Sequence, residues 1–353
     1  MTRVAFFFIG ADRTGMAESV RRGELPDSLL RGANFFARRS DWQVDLISTE
    51  KFERHLPRFV RGLVPMSLMQ LFFIPRLLRY DAFIASDAFL LGWILSTLSR
   101  VKWIYVAINS SVLIRRHARH PVRRWLLGRC WNSFTAIVCL AQKQKEDLTE
   151  FGIKPEKISL IRFGVDTAYF HGAAESEKGP IVSIGKDISR DYATLLEAAK
   201  QCGLPVEIIA SRKNIPIDAN IPGNVTVRYD LPLGELRAAY ARARFAVVPL
   251  FSEENFGGDP SGQTVLLETL AMGRAVIASE RSWLTEYLDT DSDILCVPPA
   301  NPAALAEAMK RLWDDGALRK QLAEHGQRTV RQEYSSRRFA EELMRVVERF
   351  IEV

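Results

Sequence analysis

The chain has 353 residues, 47% hydrophobic and 25% charged, which is enough for two ordinary domains with a core each and is normal globular composition. The formal net charge is +6, and the longest nearly uninterrupted apolar stretches, Leu63 to Pro75 and Ala88 to Leu98, are too short to cross a bilayer, so no spanning helix is expected. Four cysteines without a C-x-x-C pair and five histidines without ligand spacing give neither a disulfide framework nor a metal signature. Free thiols in a reducing cytoplasm and metal independence are the expectation.

Val4 to Ile9 reads as a first strand rather than a signal peptide, because no cleavage site follows. Gly10 ends it, either as a plain turn or where a backbone can approach a ligand. Further short β-branched and aromatic runs follow at Val44 to Ile47, Ala82 to Ala85, Trp103 to Ile108 and Ala136 to Leu140, the pattern of buried parallel strands. Helical stretches separate them at Ser28 to Arg39, Phe89 to Ser99, Pro121 to Trp131 and Gln142 to Phe151. Asp166 to Pro180 shifts to Ala, Gly, Glu, Ser and Lys and reads as a linker. Alternation then resumes with Ile181 to Ile184, Tyr192 to Gln201, Val206 to Ala210, Val225 to Arg228, Leu233 to Arg242 and Phe245 to Leu250, and the tail is helical over Pro302 to Gly326 and Ser335 to Ile351. Strand and helix alternating twice predicts two doubly wound α/β domains.

Charge is divided unevenly. Residues 1 to 165 carry 26 Lys and Arg against 14 Asp and Glu, the remainder 22 against 28. No acid occurs between Asp87 and Glu146, an interval with ten basic residues. Lys51 to Arg79 mixes cations with large apolar groups, and Arg115 to Arg129 adds Trp125 and Leu126, with Trp131 beyond. Such segments can lie on an anionic membrane surface, or they can be core residues beside a solvated arginine face. Nucleic acid is not expected as a partner, since no basic and aromatic interleaving on strands and no zinc module accompanies the positive charge.

The densest information lies between Phe245 and Ser279. A strand ending at Leu250 leads through a glycine-containing loop into a short helix with Leu266, Leu267, Leu270 and Ala271 on one face, stopped by Gly273 before a second strand. The start of that helix, at Gly262, Gln263 and Thr264, offers unpaired N–H groups where parallel sheets bind phosphates. Glu268 falls off the apolar face, and spacing leaves a solvated glutamate and a ligand contact both open. In the second half, Gly185 follows a strand directly and Lys186 and Arg190 precede a helix, a pattern suited to a diphosphate or to an idle exposed loop.

These segments together resemble the retaining glycosyltransferases of family four, also called group 1. Gly164, Val165 and Asp166 match the family's segment before the linker, and Val182 to Ala198 matches its strand, glycine, two cations and helix. Val297 to Pro302, with Leu305, Leu312 and Leu322, extends the likeness into the terminal helices. The resemblance implies a GT-B architecture of two Rossmann-like domains facing a cleft. An acceptor-binding domain spans 1–165 with helix 335–353 packing back onto it, and a nucleotide-sugar domain spans 181–334 after the linker 166–180. It implies that Lys186 and Arg190 grip the donor diphosphate, assisted by Gly185, and that Glu268 accepts hydrogen bonds from the ribose.

Two departures stand out. The family's acid eight residues before the helix glutamate is Pro260 here, and Glu254, in an E-x-F-G segment, stands fourteen before it. The donor sugar is therefore met either by Glu254 or by the backbone of Gly262, Gln263 and Thr264. The family's histidine after the strand at 103–108 is replaced by Asn109, which can bond a hydroxyl but does not titrate in the same way. The implied reaction transfers a sugar from a nucleoside-diphosphate donor, UDP on frequency alone, to a glycan or lipid-linked acceptor in cell-surface polysaccharide or glycolipid assembly. A catalytically inactive nucleotide-sugar-binding subunit and a GT-B epimerase are the alternatives. A cytoplasmic chain that can lie on the inner face of the membrane is expected.

Overall fold

The computed structural model describes residues 1–9, 13–50, 66–86, 88–118, 120–172, 178–215, 219–256 and 258–351. They form two compact units, Met1–Arg162 with Ser336–Val353, and Phe163–Ser335. Of the expected linker 166–180, residues 173–177 lie outside the described residues, as do Gly10 and residues 51–65 of the cationic segment.

The first unit is a six-stranded parallel sheet of β1 (Thr2–Phe8), β2 (Trp42–Ser48), β3 (Ala82–Ala85), β4 (Lys102–Ala107), β5 (Ala136–Cys139) and β6 (Ile158–Leu160), in the order β2-β1-β3-β4-β5-β6. β3 and β5 are buried throughout, as are Val4 to Phe8 and Trp103 to Ala107, because helices cover both faces. Trp103 centres the core, stacked 5.0 Å from Phe134 and edge-on to Phe83 at 4.7 Å. The helix Phe89–Leu98 reaches that indole only through Gly92, where a Cβ would lie 1.8 Å from Trp103 Cζ3. Gly92→Ala is therefore expected to destabilise this unit by at least about 2 kcal/mol through overpacking. A lower urea midpoint checks this, and an unchanged midpoint speaks against it.

The stretch 28–39 is not one helix. Its 3₁₀ turn Asp27–Leu30 and its helix Ala33–Phe36 are separated by Arg31 and Gly32, at φ 50° and 92°. Gly32 is needed there because the closing helix, Ser336–Ile351, packs so close that a Cβ would meet Ala340 Cβ at 2.9 Å. Phe339, Ala340, Leu343 and Val347 are buried, and Arg39 Nη1 pairs with Glu348 at 2.7 Å.

The second unit is another parallel sheet, of β7 (Ile181–Ile184), β8 (Val206–Ala210), β9 (Val225–Tyr229), β10 (Phe245–Val248), β11 (Val276–Ser279) and β12 (Leu295–Val297), in the order β12-β11-β10-β7-β8-β9. Its tail differs from a continuous 302–326 helix. Asp315 leaves helical geometry and caps a new helix, Gly316–Glu333, by accepting from Leu318 N at 2.9 Å. Among the described residues no helix is long and apolar enough to cross a membrane, and no group of three His, Cys, Asp or Glu could hold a metal ion.

Candidate active site

The second sheet changes direction between β7 and β10. The chain leaves β7 toward β8 on one side and β10 toward β11 on the other, so the two following loops diverge and open a crevice at the carboxyl ends of these strands. Gly185 to Asp191 forms one wall. The other is the loop from Pro249 to Gly262, leading into the helix Gln263–Ala271.

Backbone bonds stitch the walls together. Asp191 N donates to Pro249 O at 3.1 Å, and Phe251 N donates to Ser189 O at 3.0 Å. Asp191 also caps the helix Tyr192–Cys202 by accepting from Thr194 N at 3.1 Å. Between the walls lies Arg190, its side chain only 1% exposed, with Nε 3.1 Å from Asp187 Oδ2. Partial desolvation works against the Asp187 charge although the side chain stays 42% exposed, and the Arg190 guanidinium and hydrogen bonds from Ser189 hold this carboxyl below its usual range.

Two glycines make room for that guanidinium. A Cβ on Gly185 would fall 2.0 Å from Arg190 Nε, and one on Gly262 would fall 3.0 Å from Nη1. Gly185 thus accommodates the arginine itself, a role the sequence does not reveal. Arg190 Nη1 and Gln263 Nε2 are buried without a hydrogen-bond partner among the described residues. Leaving such donors unused in the interior costs roughly 1–3 kcal/mol each, and more for a charged group. Gly262 stands at φ 85° as the N-cap, with no side-chain cap on the helix it opens. Thr264, in the first turn, is exposed. A buried cation, an amide donor and an uncapped helix start therefore converge, the equipment for an anion.

Lys186 is placed differently. It is exposed, and its Nζ lies 3.1 Å from Asp230 Oδ1 beyond β9. Glu268 is not on a solvated face. The helix Gln263–Ala271 is buried over most of its circumference, with the Gly316–Glu333 helix against it, and Glu268 is enclosed with the rest. Tyr240 Oη donates to its Oε2 at 3.0 Å. Burial raises the Glu268 carboxyl to about 7, against the opposing effect of the Tyr240 hydrogen bond. Burial and then the Glu268 charge push the Tyr240 phenol well above its ordinary value.

Glu254 is exposed on the short helix Glu253–Phe256, and Gly257 lies outside the described residues. Its neighbour Glu253 accepts from Ser282 N at 2.6 Å and from Ser282 Oγ at 2.7 Å. Arg281, buried, donates to Phe251 O at 2.8 Å and to Asp259 O at 3.4 Å and so braces both ends of this loop. Neither Tyr240 nor Arg281 carries a motif that would single it out from sequence. Asn109 belongs to the first unit, exposed at the end of β4, where its carbonyl accepts from Leu113 N at 3.4 Å.

A family model described as "Glycosyl transferases group 1" matches residues 194–315, and one described as "Glycosyltransferase Family 4" matches residues 34–169. The MMP alpha-(1->4)-mannosyltransferase of Mycolicibacterium hassiacum is 22% identical over 260 residues, a match spanning 68% of this chain and 62% of that protein. Sucrose-phosphate synthase (tll1590) from Thermosynechococcus elongatus is similar in structure, with a TM-score of 0.73 at 18% identity and full coverage of both chains. Anabaena Alr3699/HepE in complex with UDP and glucose gives 0.72 at 14% identity, covering 99% of this chain and 100% of that one. The chain belongs to the group 1 glycosyltransferases of family four and has their two-domain α/β GT-B fold.

Proposed function

We propose that the protein transfers a sugar from a nucleoside-diphosphate donor to an acceptor hydroxyl with retention at the anomeric carbon. The observation that carries this reading is Arg190, a buried guanidinium with unused donors, held between Gly185 and Gly262 at the uncapped start of a helix. The diphosphate would take these donors, and Lys186 would turn from Asp230 to join them. Glu268 would accept from the ribose hydroxyls, and the backbone at Gly262 to Thr264 or the exposed Glu254 would meet the sugar. A UDP-sugar is the favoured donor, since HepE, similar in fold, is known with UDP and with UDP-glucose.

In the reaction the bond from C1 to the phosphate oxygen breaks, leaving its electron pair on the diphosphate. The acceptor oxygen bonds C1 on the same face, and its proton passes to the departing phosphate. Charge grows on the leaving group as the bond lengthens, so Arg190 and the helix amides act more strongly on the transition state than on the bound donor. The acceptor we infer is a glycan or lipid-linked hydroxyl carried at an anionic membrane surface, in cell-surface polysaccharide or glycolipid assembly.

A panel of nucleotide sugars tests this by thermal shift and product analysis. A true donor at a hundred times its Kd should add about 2.7 kcal/mol, a rise in Tm of roughly 5 °C or more. NMR of the product should show the donor's anomeric configuration. A panel without any stabilising member would defeat the donor assignment, an inverted product would defeat retention, and stabilisation without turnover would favour the inactive binding subunit.

A further inference from the structure

We propose that the first two turns of the helix Pro121–Ser133 dock the protein onto a bilayer rich in anionic lipid. This deepens the membrane placement of the acceptor given above, but the contact stands on the helix's own surface. Residues 121 to 126 are all exposed. Val122, Trp125 and Leu126 are 68%, 59% and 53% exposed and, spaced at i, i+3 and i+4, form one apolar stripe facing outward.

Such a stripe on a soluble surface asks for an occupant, since large apolar side chains rarely gather on one outward helical face. The far half of the helix is well anchored. Trp131 is buried and stacks 5.4 Å from Phe89, and the Cys130 thiol reaches Phe89 O at 3.9 Å. The exposed turns therefore project from a fixed base. Arg124 is turned back to the body, donating to Glu150 O at 3.1 Å and lying 5.5 Å over the Phe151 ring. Arg129 continues the stripe one turn on and lies 5.2 Å over the Trp125 ring, with Arg123 exposed beside it. Arg116 and His120 are exposed just before the helix, and no Asp or Glu occurs anywhere in the chain from 88 to 145.

Charge selects the occupant. A convex stripe with an indole at its centre and guanidinium groups around it matches the boundary between acyl chains and anionic headgroups, where indole rings settle and cations gain from the surface potential. A second copy would bring the same arginines against themselves.

The test is sedimentation of the full chain with vesicles of phosphatidylcholine containing about one third phosphatidylglycerol. Wild type should bind, weaken at least tenfold as salt rises from 50 to 500 mM, and bind pure phosphatidylcholine poorly. Trp125→Ser with Leu126→Ser should reduce binding at least tenfold, as should Arg123→Gln with Arg129→Gln, with circular dichroism and Tm unchanged because these side chains are exposed. Quenching of tryptophan fluorescence by brominated lipid should fall in Trp125→Phe, which keeps the apolar stripe. Absence of binding, or binding indifferent to both double variants, overturns the proposal. A dimer in sedimentation velocity that the Trp125 and Leu126 variant dissolves would assign the stripe to a second copy instead. Nucleotide-sugar binding should be equal in all variants, so the transferase reading can fail without the docking surface and the reverse.

Discussion

Replacing Arg190 by alanine is expected to lower kcat/KM for the nucleotide sugar by roughly 10²–10³, the loss typical when one preorganised donor to developing negative charge is removed. The effect should fall mainly on kcat, since the charge this group meets is greatest as the diphosphate leaves. Arg190→Lys should recover only part of it, because an ammonium cannot repeat the planar donor set aimed between Gly185 and Gly262. Lys186→Ala should cost less, about tenfold, as its ammonium is exposed and must leave Asp230 to take part. Steady-state kinetics with Tm recorded for each variant checks this. An Arg190→Ala enzyme that keeps its fold and wild-type turnover would remove Arg190 from the chemistry.

The second large effect concerns Glu268 and pH. Its carboxyl is raised to about 7 by burial, so the folded state holds this proton more tightly than the unfolded chain does. Its contribution to stability is therefore fully present below about 4.5 and is lost as pH rises toward about 7, by roughly 3 kcal/mol at one pKa unit per 1.4 kcal/mol. Donor affinity should move the other way. Ribose hydroxyls need the ionised carboxylate as acceptor, so affinity for UDP-glucose should rise about tenfold between pH 6 and pH 8. Glu268→Gln retains an oxygen for the Tyr240 hydroxyl but not the charge. It should flatten both profiles and weaken the donor at pH 8 by roughly ten- to a hundredfold, the worth of hydrogen bonds to a charged acceptor. Calorimetric titration across this range decides the matter, and a flat wild-type profile or an unimpaired Glu268→Gln variant would reject the ribose role.

Much of the architecture was legible because a buried parallel strand leaves a plain trace, an unbroken apolar run such as Ala82 to Ala85 or Phe245 to Val248. Short edge strands left less. Leu295–Val297 has too few residues to show a period, and the helices Arg13–Arg21 and Ser110–Ala118 carry no broad apolar face. The apparent helix at 28–39 concealed a break that only packing against Ala340 explains.

The candidate site was legible in its loops and less so in its side chains. The divergence of chain direction between β7 and β10 brings Gly185 to Arg190 beside the loop ending at Gly262, and both segments stand out from their glycines and cations. Burial was the missing quantity. Helical spacing puts Glu268 outside the leucine face, but Tyr240 meets it there from a distant part of the sequence. In the same way Trp131 reads as one more aromatic among arginines, whereas Phe89 covers it. Partners that arrive through tertiary contact leave no local period to detect.

A crystal structure with a bound UDP-sugar would test the anion-binding role of Arg190 most directly. Diphosphate oxygens should lie within about 3 Å of the Arg190 guanidinium and of a backbone N–H in the first turn after Gly262, with the ribose on Glu268. A diphosphate bound elsewhere, with Arg190 Nη1 still lacking a partner, would contradict it.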